Sequence, residues 1–349
     1  MTKKAELKAV DQQPSDNIEN LKKIARSFKN YMNAQYRESI AYNPDSDTIA
    51  KVSVSRWLKM PSAIADAMGM DGLPFGVMTQ VYGKKDSGKS SMLGQAIAAA
   101  QAQGILPILI LTEHKFDFNR LATFMGADPE AMLVYPAEDL ETGFQCLETI
   151  LRSIATGKLI NVIPNPNFDP DKPETKDNPK EIDDIIDVSN QPCFVFWDSI
   201  GGTLSANESE GDVYDWDKDM GRYAQALKKL VKRSSQLLNK VRDKVGVLLL
   251  NQVWGKRTPQ GITVDQPYGG EAVQHYYALE IHLKRANEIK MTYKGQDMAI
   301  GYDIKMEIKK NHITHNRLKG SLIAVAEGLL ATNDLESFKK RYRSYLDKE

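Results

Sequence analysis

Three features of this 349-residue sequence predict an α/β fold built on a mostly parallel central sheet. Short apolar runs rich in branched and aromatic residues recur at VMTQVY (77–82), ILPILILT (105–112), CFVFWD (193–198) and VGVLLLN (245–251). Longer helical stretches separate the first three runs and precede the fourth, which implies βαβ units and a sheet buried on both faces. The third feature is a glycine-rich loop, GKKDSGKS. It follows the first run and opens the helical segment SSMLGQAIAAAQAQ, giving the order strand, loop, helix.

The chain begins with a polar stretch up to about Ser15. From Asp16 onward Ile18, Leu21, Ile24, Ala25, Phe28 and Met32 recur at roughly helical spacing, with Lys22, Lys23, Arg26 and Lys29 between them. This predicts an amphipathic helix, followed by the turn-rich link AYNPDSDT. Residues 1–48 are therefore expected to form a helical arm and linker, and residues 49–331 the core. Within that core, residues 161–192 are dense in Pro, Asn and Asp and predict an acidic surface insertion. Residues 332–349 are expected to be a short charged tail.

Composition bounds the function. With 42% hydrophobic and 26% charged residues the chain falls among ordinary globular proteins, and no run approaches the ~18 apolar residues of a membrane span. The start, MTKKAELKAVDQQPSDN, has lysines without an apolar core behind them, so a cytoplasmic protein is expected. Cys146 and Cys193 are too few for a disulfide framework or a zinc site. Lys+Arg and Asp+Glu both number 46, giving a formal net charge of +0. That sum carries no basic footprint for nucleic acid, although it says nothing about how charge is distributed.

Gly83-Lys84-Lys85-Asp86-Ser87-Gly88-Lys89-Ser90, followed by Ser91, fits the phosphate-binding pattern G-x-x-x-x-G-K-[ST]. Its glycines permit a tight backbone that turns successive N–H groups toward phosphate oxygens, and the helix N-terminus adds partial positive charge. Lys89 is expected to reach the β and γ phosphates of ATP, and the Ser90 hydroxyl to hold Mg²⁺. Asp198, closing the run FVFWD, is the carboxylate expected to help hold the metal. Glu113 stands at the end of another strand and would polarise an attacking water. Lys89, Glu113, Asp198, Asn251 and Gln252 should meet in the crevice beyond the carboxyl ends of the strands.

Six motifs in order give the sequence a family resemblance. Residues 52–330 resemble the RecA family of ATP-dependent DNA recombinases, and among them the phage recombinases of the UvsX type. SRWLKMPSAIADAMGMDGLPFGVMTQVYGKKDSGKSS resembles the family's lead into its phosphate loop. TEHKFD is similar to its "AEHALD" segment, DSIGGTL to its second nucleotide motif and LLLNQV to its "INQ" strand. YGGEAVQHYY is similar to its "GGNALKFYA" helix start, and EIKKNHIT to its "VVKNKIA" strand. The resemblance implies a catalytic role for Glu113, a place near the adenine for Asp117, and a γ-phosphate sensor in Gln252 that opens the second DNA-binding loop. It also implies that Lys310 contacts the nucleotide of a neighbouring subunit. Its companion lysine is His312 here, which is mostly neutral near pH 7. Arg120 occupies the position where the bacterial proteins stack a tyrosine on adenine; a guanidinium can stack there too.

DNA binding is expected from two loops. Residues 254–268, WGKRTPQGITVDQPY, show no secondary-structure period and carry Trp254, Lys256 and Arg257. Gly269 and Gly270 then offer backbone N–H groups to a DNA phosphate. The first loop, SANESEGDVYDWDKDMGRY, is acidic, so contact is expected only from its end, at Met220, Gly221 and Arg222. The basic helix that follows carries Lys228, Lys229, Lys232, Arg233, Lys240 and Arg242. In the resembled family an N-terminal helix packs on the next subunit, which assigns polymerisation to Ile18, Leu21, Ile24 and Phe28. The expected partners are thus single- and double-stranded DNA, further copies of the chain in a helical filament, and a phage single-strand binding protein or loader. Two alternatives share the same motifs: a hexameric DNA motor or helicase, and an ATP-switched filament that only coats DNA.

Overall fold

The computed structural model describes residues 54–347, apart from 114–115, 205–215, 258–260 and 262. The expected arm, with Ile18, Leu21, Ile24 and Phe28, lies outside the described residues, as does most of the acidic first loop. Among the described residues, β1 (Trp57–Lys59) pairs with β2 (Gly72–Pro74), and nine further strands form one mixed sheet in the order β15-β14-β13-β12-β3-β9-β8-β4-β5. Its parallel half consists of β3 (Met78–Tyr82), β4 (Leu106–Leu111), β5 (Leu133–Pro136), β8 (Cys193–Asp198) and β9 (Val245–Asn251). These are the four apolar runs read from the sequence plus one edge strand. β12 (Tyr277–Tyr293) joins β3 in parallel and then turns the sheet antiparallel through β13 (Gln296–Asn311), β14 (Lys319–Val325) and β15 (Gly328–Ala331).

Helices cover both faces, and the strand side chains divide between them as the two-residue period requires. On one face Leu109, Phe194, Phe196 and Leu248 pack with α1 (Ser62–Met68), α2 (Lys89–Ala102) and α3 (Phe118–Met125). On the other, Ile108, Ile110, Val195 and Trp197 pack with α4 (Leu140–Thr156) and α5 (Trp216–Leu238). Local chemistry sets the boundaries of α4: Asp139 accepts from the Thr142 N–H at 2.7 Å and the Thr142 hydroxyl reaches back to the Asp139 N–H, a reciprocal capping box.

Three segments carry secondary structure that the sequence reading did not assign. The stretch expected as an acidic surface insertion, 161–192, contains most of a hairpin, with β6 (Lys158–Pro164) antiparallel to β7 (Glu181–Asp187). Its branched residues supply the strand propensity, yet Leu159, Ile185 and Ile186 are exposed, so no alternating buried face marked it. Residues 332–349 contain α7 (Leu335–Leu346), whose Phe338 is fully buried with Ile289, Met291 and Ile323 against the long β12–β13 hairpin. Residues 254–268 form a second hairpin, β10 (Val253–Arg257) with β11 (Thr263–Pro267).

Candidate functional site

The loop 83–88 leaves β3 and enters α2 at Gly88. That residue caps the helix without a side chain, so no side-chain oxygen occupies the first-turn N–H groups. A 14-residue helix whose amino end is left open in this way suits an anion. Lys89 folds back over the loop, its Nζ donating to the carbonyls of Gly83 (2.8 Å) and Lys84 (2.9 Å). Burial lowers its pKa, opposed by the charges of Asp198, Glu113 and Asp86. A cavity of about 450 Å³ opens beside the loop, within the usual range for ligand sites. Asp86, Ser87, Gly88, Lys89, Ser90 and Ser91 line one part of it.

The parallel half of the sheet brings the other predicted groups to the same end. Asp198 closes β8 in register with Leu111, the last residue of β4, and Asn251 closes β9 opposite Tyr82 of β3. Glu113, two residues past β4, accepts from the Ser199 hydroxyl (2.7 Å) and from Gln252 Nε2 (2.8 Å), both through Oε1. The segment after Asp198 is held by Thr112 and Thr203, whose hydroxyls lie 2.8 Å apart and both donate to the Ser199 carbonyl. Glycine at 202 leaves room for this pair: a Cβ there would lie 2.6 Å from Glu113 Oε1 and 3.0 Å from Gln252 Nε2 and would push those side-chain ends aside. Ser199, Thr112 and Gly202 were not singled out from the sequence. Their part depends on contacts with residues about 90 positions away.

Asp198 is half-buried, and its desolvation, followed by the charge of Glu113, raises its pKa to about 6 against the pull of Lys89. The sign of the linkage is definite. A raised carboxyl pKa stabilises the folded protein below its ordinary value of 3.8, and that contribution disappears as pH rises to about 6. Asp198→Asn removes this dependence. Urea unfolding of the nucleotide-free protein is expected to show the variant gaining on wild type between pH 4 and 6, by about 3 kcal/mol at most, with a constant difference above. A difference that stays flat through that window would contradict the raised pKa.

A triphosphate with Mg²⁺ fits these residues. The uncapped helix start and the Lys89 ammonium offer positive charge, and the Ser90 hydroxyl and Asp198 carboxylate offer oxygen ligands. Among the described residues no group of three or more His, Cys, Asp or Glu side chains could hold a metal ion by itself. Magnesium here would complete its shell with phosphate oxygens and water.

The remaining candidates fall in several places. Asp117 is exposed and caps α3, accepting from the Arg120 N–H at 2.8 Å, and it does not line the cavity. Arg120 does line it, but its guanidinium is tied to the carbonyls of Val325 (2.8 Å) and Ala326 (3.0 Å) and to the Ser91 hydroxyl (2.9 Å). Lys84 pairs with Asp265 of β11 at 3.2 Å, and Lys85 is exposed. Lys310 and His312 lie outside the chain's own cavity. Lys310 donates to the Gln274 carbonyl (2.5 Å) and faces Glu280 across β12–β13. His312 is exposed, and slight burial together with Lys310, His315 and Arg317 lowers its pKa, so it is neutral near pH 7.

The DNA candidates are distributed differently from the sequence reading. Trp254, Lys256 and Arg257 are strand residues of β10, and Trp254 is about one-third exposed at 37%. Its sequence lacks a polar–apolar alternation because apolar residues such as Trp254 and Val264 are exposed on this two-stranded ribbon. Its base is tied to the site: Asn251 Nδ2 donates to the Tyr268 carbonyl (2.9 Å), and the Tyr268 N–H to the Gln252 carbonyl (3.2 Å). Met220, Gly221 and Arg222 lie within α5 rather than in a loop, because the helix starts at Trp216. On α5, Lys228, Lys229 and Lys232 are exposed, whereas Arg233 pairs with Glu148 of α4 at 2.8 Å. Gly269 and Gly270 precede only a single helical turn, α6 (Glu271–Gln274). Among the described residues no helix is long and apolar enough to cross a membrane.

Comparison with known proteins follows the same residues. Residues 23–164 match the RecA N-terminal domain family. Protein RecA of Chlorobaculum tepidum is 29% identical over 261 residues, covering 72% of this chain and 60% of that protein. Protein RecA of an Arthrobacter species is 29% identical over 259 residues, 71% of this chain and 58% of its own length. Protein RecA of Chlorobium chlorochromatii is 26% identical over 284 residues, 78% of this chain and 65% of its own. The matched stretch thus spans about 60% of the length of such relatives.

Proposed function

Because residues 23–164 match the RecA N-terminal domain family and the chain is 29% identical to Protein RecA of Chlorobaculum tepidum, we propose that it belongs to the RecA family as an ATP-dependent DNA recombinase. It would assemble as a helical filament on single-stranded DNA, pair that strand with a homologous duplex and exchange strands in recombination and repair. One observation carries the reading: Gln252 donates to Glu113 at 2.8 Å while its own carbonyl closes the base of the β10–β11 hairpin. A change at the hydrolytic carboxylate is thereby felt in the element expected to touch DNA, through two consecutive hydrogen bonds.

The proposed chemistry assigns each group one task. The open end of α2 and Lys89 bind the phosphates. Ser90 and Asp198 hold Mg²⁺, which when bound neutralises charge on the phosphates. Glu113 orients the water that attacks the γ-phosphorus, giving ADP and phosphate. Gln252 exchanges its bond to Glu113 for one to the γ-phosphate, so the hairpin takes one position with ATP and another after hydrolysis. Lys310 and His312, outside their own chain's cavity, would serve the nucleotide of a neighbouring copy. Met220, Gly221, Arg222, Trp254, Lys256, Arg257, Gly269 and Gly270 remain the proposed DNA contacts. Ile18, Leu21, Ile24 and Phe28 remain the proposed polymerisation face. A single-strand binding protein or loader would act beside it, in the cytoplasm where such DNA is processed.

The test is ATP hydrolysis by the full chain with and without single-stranded DNA, together with joint-molecule formation between homologous strands. Stimulation of at least tenfold by DNA, with strand exchange that requires homology, is expected. Hydrolysis indifferent to DNA would overturn the reading. DNA-stimulated hydrolysis that unwinds duplex without exchanging strands would replace it by a motor.

A further inference from the structure

The cavity beside the phosphate loop has a second wall that no sequence motif marked. It is made by Ala299, Ile300, Gly301 and Tyr302 of β13 and by Ala324, Val325 and Ala326 at the end of β14. One part of the cavity is thus polar and suited to phosphate, whereas this wall is mainly apolar. Among the described residues, Tyr302 is the only aromatic one lining it. Its ring is held from outside the cavity: the Arg285 guanidinium lies over one face, 3.7 Å from the centroid, and Arg285 is not a lining residue. The same guanidinium reaches Asp86 of the phosphate loop, Nη1 to Oδ2, at 3.3 Å. Arg285 therefore clasps the ring to the loop and leaves another part of the ring to the cavity.

The lining residue Arg120 is less free to stack than its place in the sequence implied. Two carbonyls and a hydroxyl fix its guanidinium, and these partners belong to the wall and to α2. We propose that Tyr302 is the base-stacking residue of the nucleotide site and that it confers a preference for purine over pyrimidine triphosphates. The proposal rests on the reading of the cavity as a nucleoside triphosphate site. The larger ring system of a purine overlaps more of the phenol, so stacking discriminates by area rather than by hydrogen-bond pattern. Asp86–Arg285–Tyr302 sets the distance between the phosphate end and the base end of that site.

The experiment measures binding of ATP, CTP and inorganic tripolyphosphate to the full chain by calorimetry, for wild type, Tyr302→Ala and Tyr302→Phe. Wild type is expected to bind ATP at least fivefold more tightly than CTP. Tyr302→Ala should lose about tenfold in ATP affinity and most of the ATP-to-CTP preference, while tripolyphosphate binding changes less than twofold. Tyr302→Phe keeps the stacking surface and should behave as wild type. Equal losses for ATP and tripolyphosphate in Tyr302→Ala would overturn the proposal, since the ring would then merely support the loop through Arg285. Unchanged ATP affinity would overturn it as well. Failure of wild type to bind any of the three ligands would instead remove the nucleotide reading itself, and the proposal with it.

Discussion

Lys89→Ala is expected to reduce ATP hydrolysis at least a hundredfold and to weaken ATP binding with it. The ammonium folds onto the phosphate loop itself, 2.8 and 2.9 Å from the carbonyls of Gly83 and Lys84. It also sits in the field of Asp198, Glu113 and Asp86. Removing it leaves those carboxylates facing an incoming polyanion with less positive charge to offset them. Loss of a single preorganised charge partner at a transferring group typically costs a factor of about 10² to 10³. The check is steady-state hydrolysis with single-stranded DNA, alongside thermal unfolding to establish that the variant remains folded. Its backbone partners are loop carbonyls, one of them exposed, so the fold should tolerate the change. Hydrolysis within tenfold of wild type would remove Lys89 from the site.

Glu113→Gln separates chemistry from binding. The amide has nearly the same shape and can still accept from Ser199 and Gln252 through its oxygen, so the arrangement around it should survive. It has lost the negative charge and basicity that orient a water and draw off its proton. General-base contributions of this kind amount to about 10² to 10⁴ in rate. Single-turnover hydrolysis is therefore expected to fall at least a hundredfold, while ATP affinity stays within threefold and the ATP-bound filament outlives that of wild type. A variant that hydrolyses normally would leave Glu113 as a structural acceptor only.

The phosphate loop was legible in the sequence because its chemistry is local: eight consecutive residues carry the glycines, the lysine and the hydroxyl. The carboxylates at strand ends were legible because a buried strand is a continuous apolar run, and a charge at its end stands out, as Asp198 does after FVFW. The second hairpin was not legible. Residues such as Trp254 and Val264 are exposed on it, so its strands lack the buried face that imposes a two-residue period. The C-terminal helix was hidden differently. Phe338, Leu335 and Tyr342 lie at helical spacing, but the charges between them read as a tail until a partner surface on β12 and β13 existed. Tyr302 carried no signal at all, and Ser199 stood inside the DSIGGTL motif without a role of its own, because their roles arise from neighbours distant in sequence.

The cavity's two walls are separated by more than 200 residues of chain, one at 83–91 and the other at 299–302 and 324–326. Bringing them together requires a large loop to close, with an entropic cost that only the finished sheet offsets. A chain that has folded its parallel half alone presents a phosphate loop facing solvent. A ligand spanning both walls therefore binds the completed fold and not its partly folded forms, and by mass action draws the population toward it. A nucleotide bound across both walls would thus act on folding as well as on function, reporting that the antiparallel extension has docked.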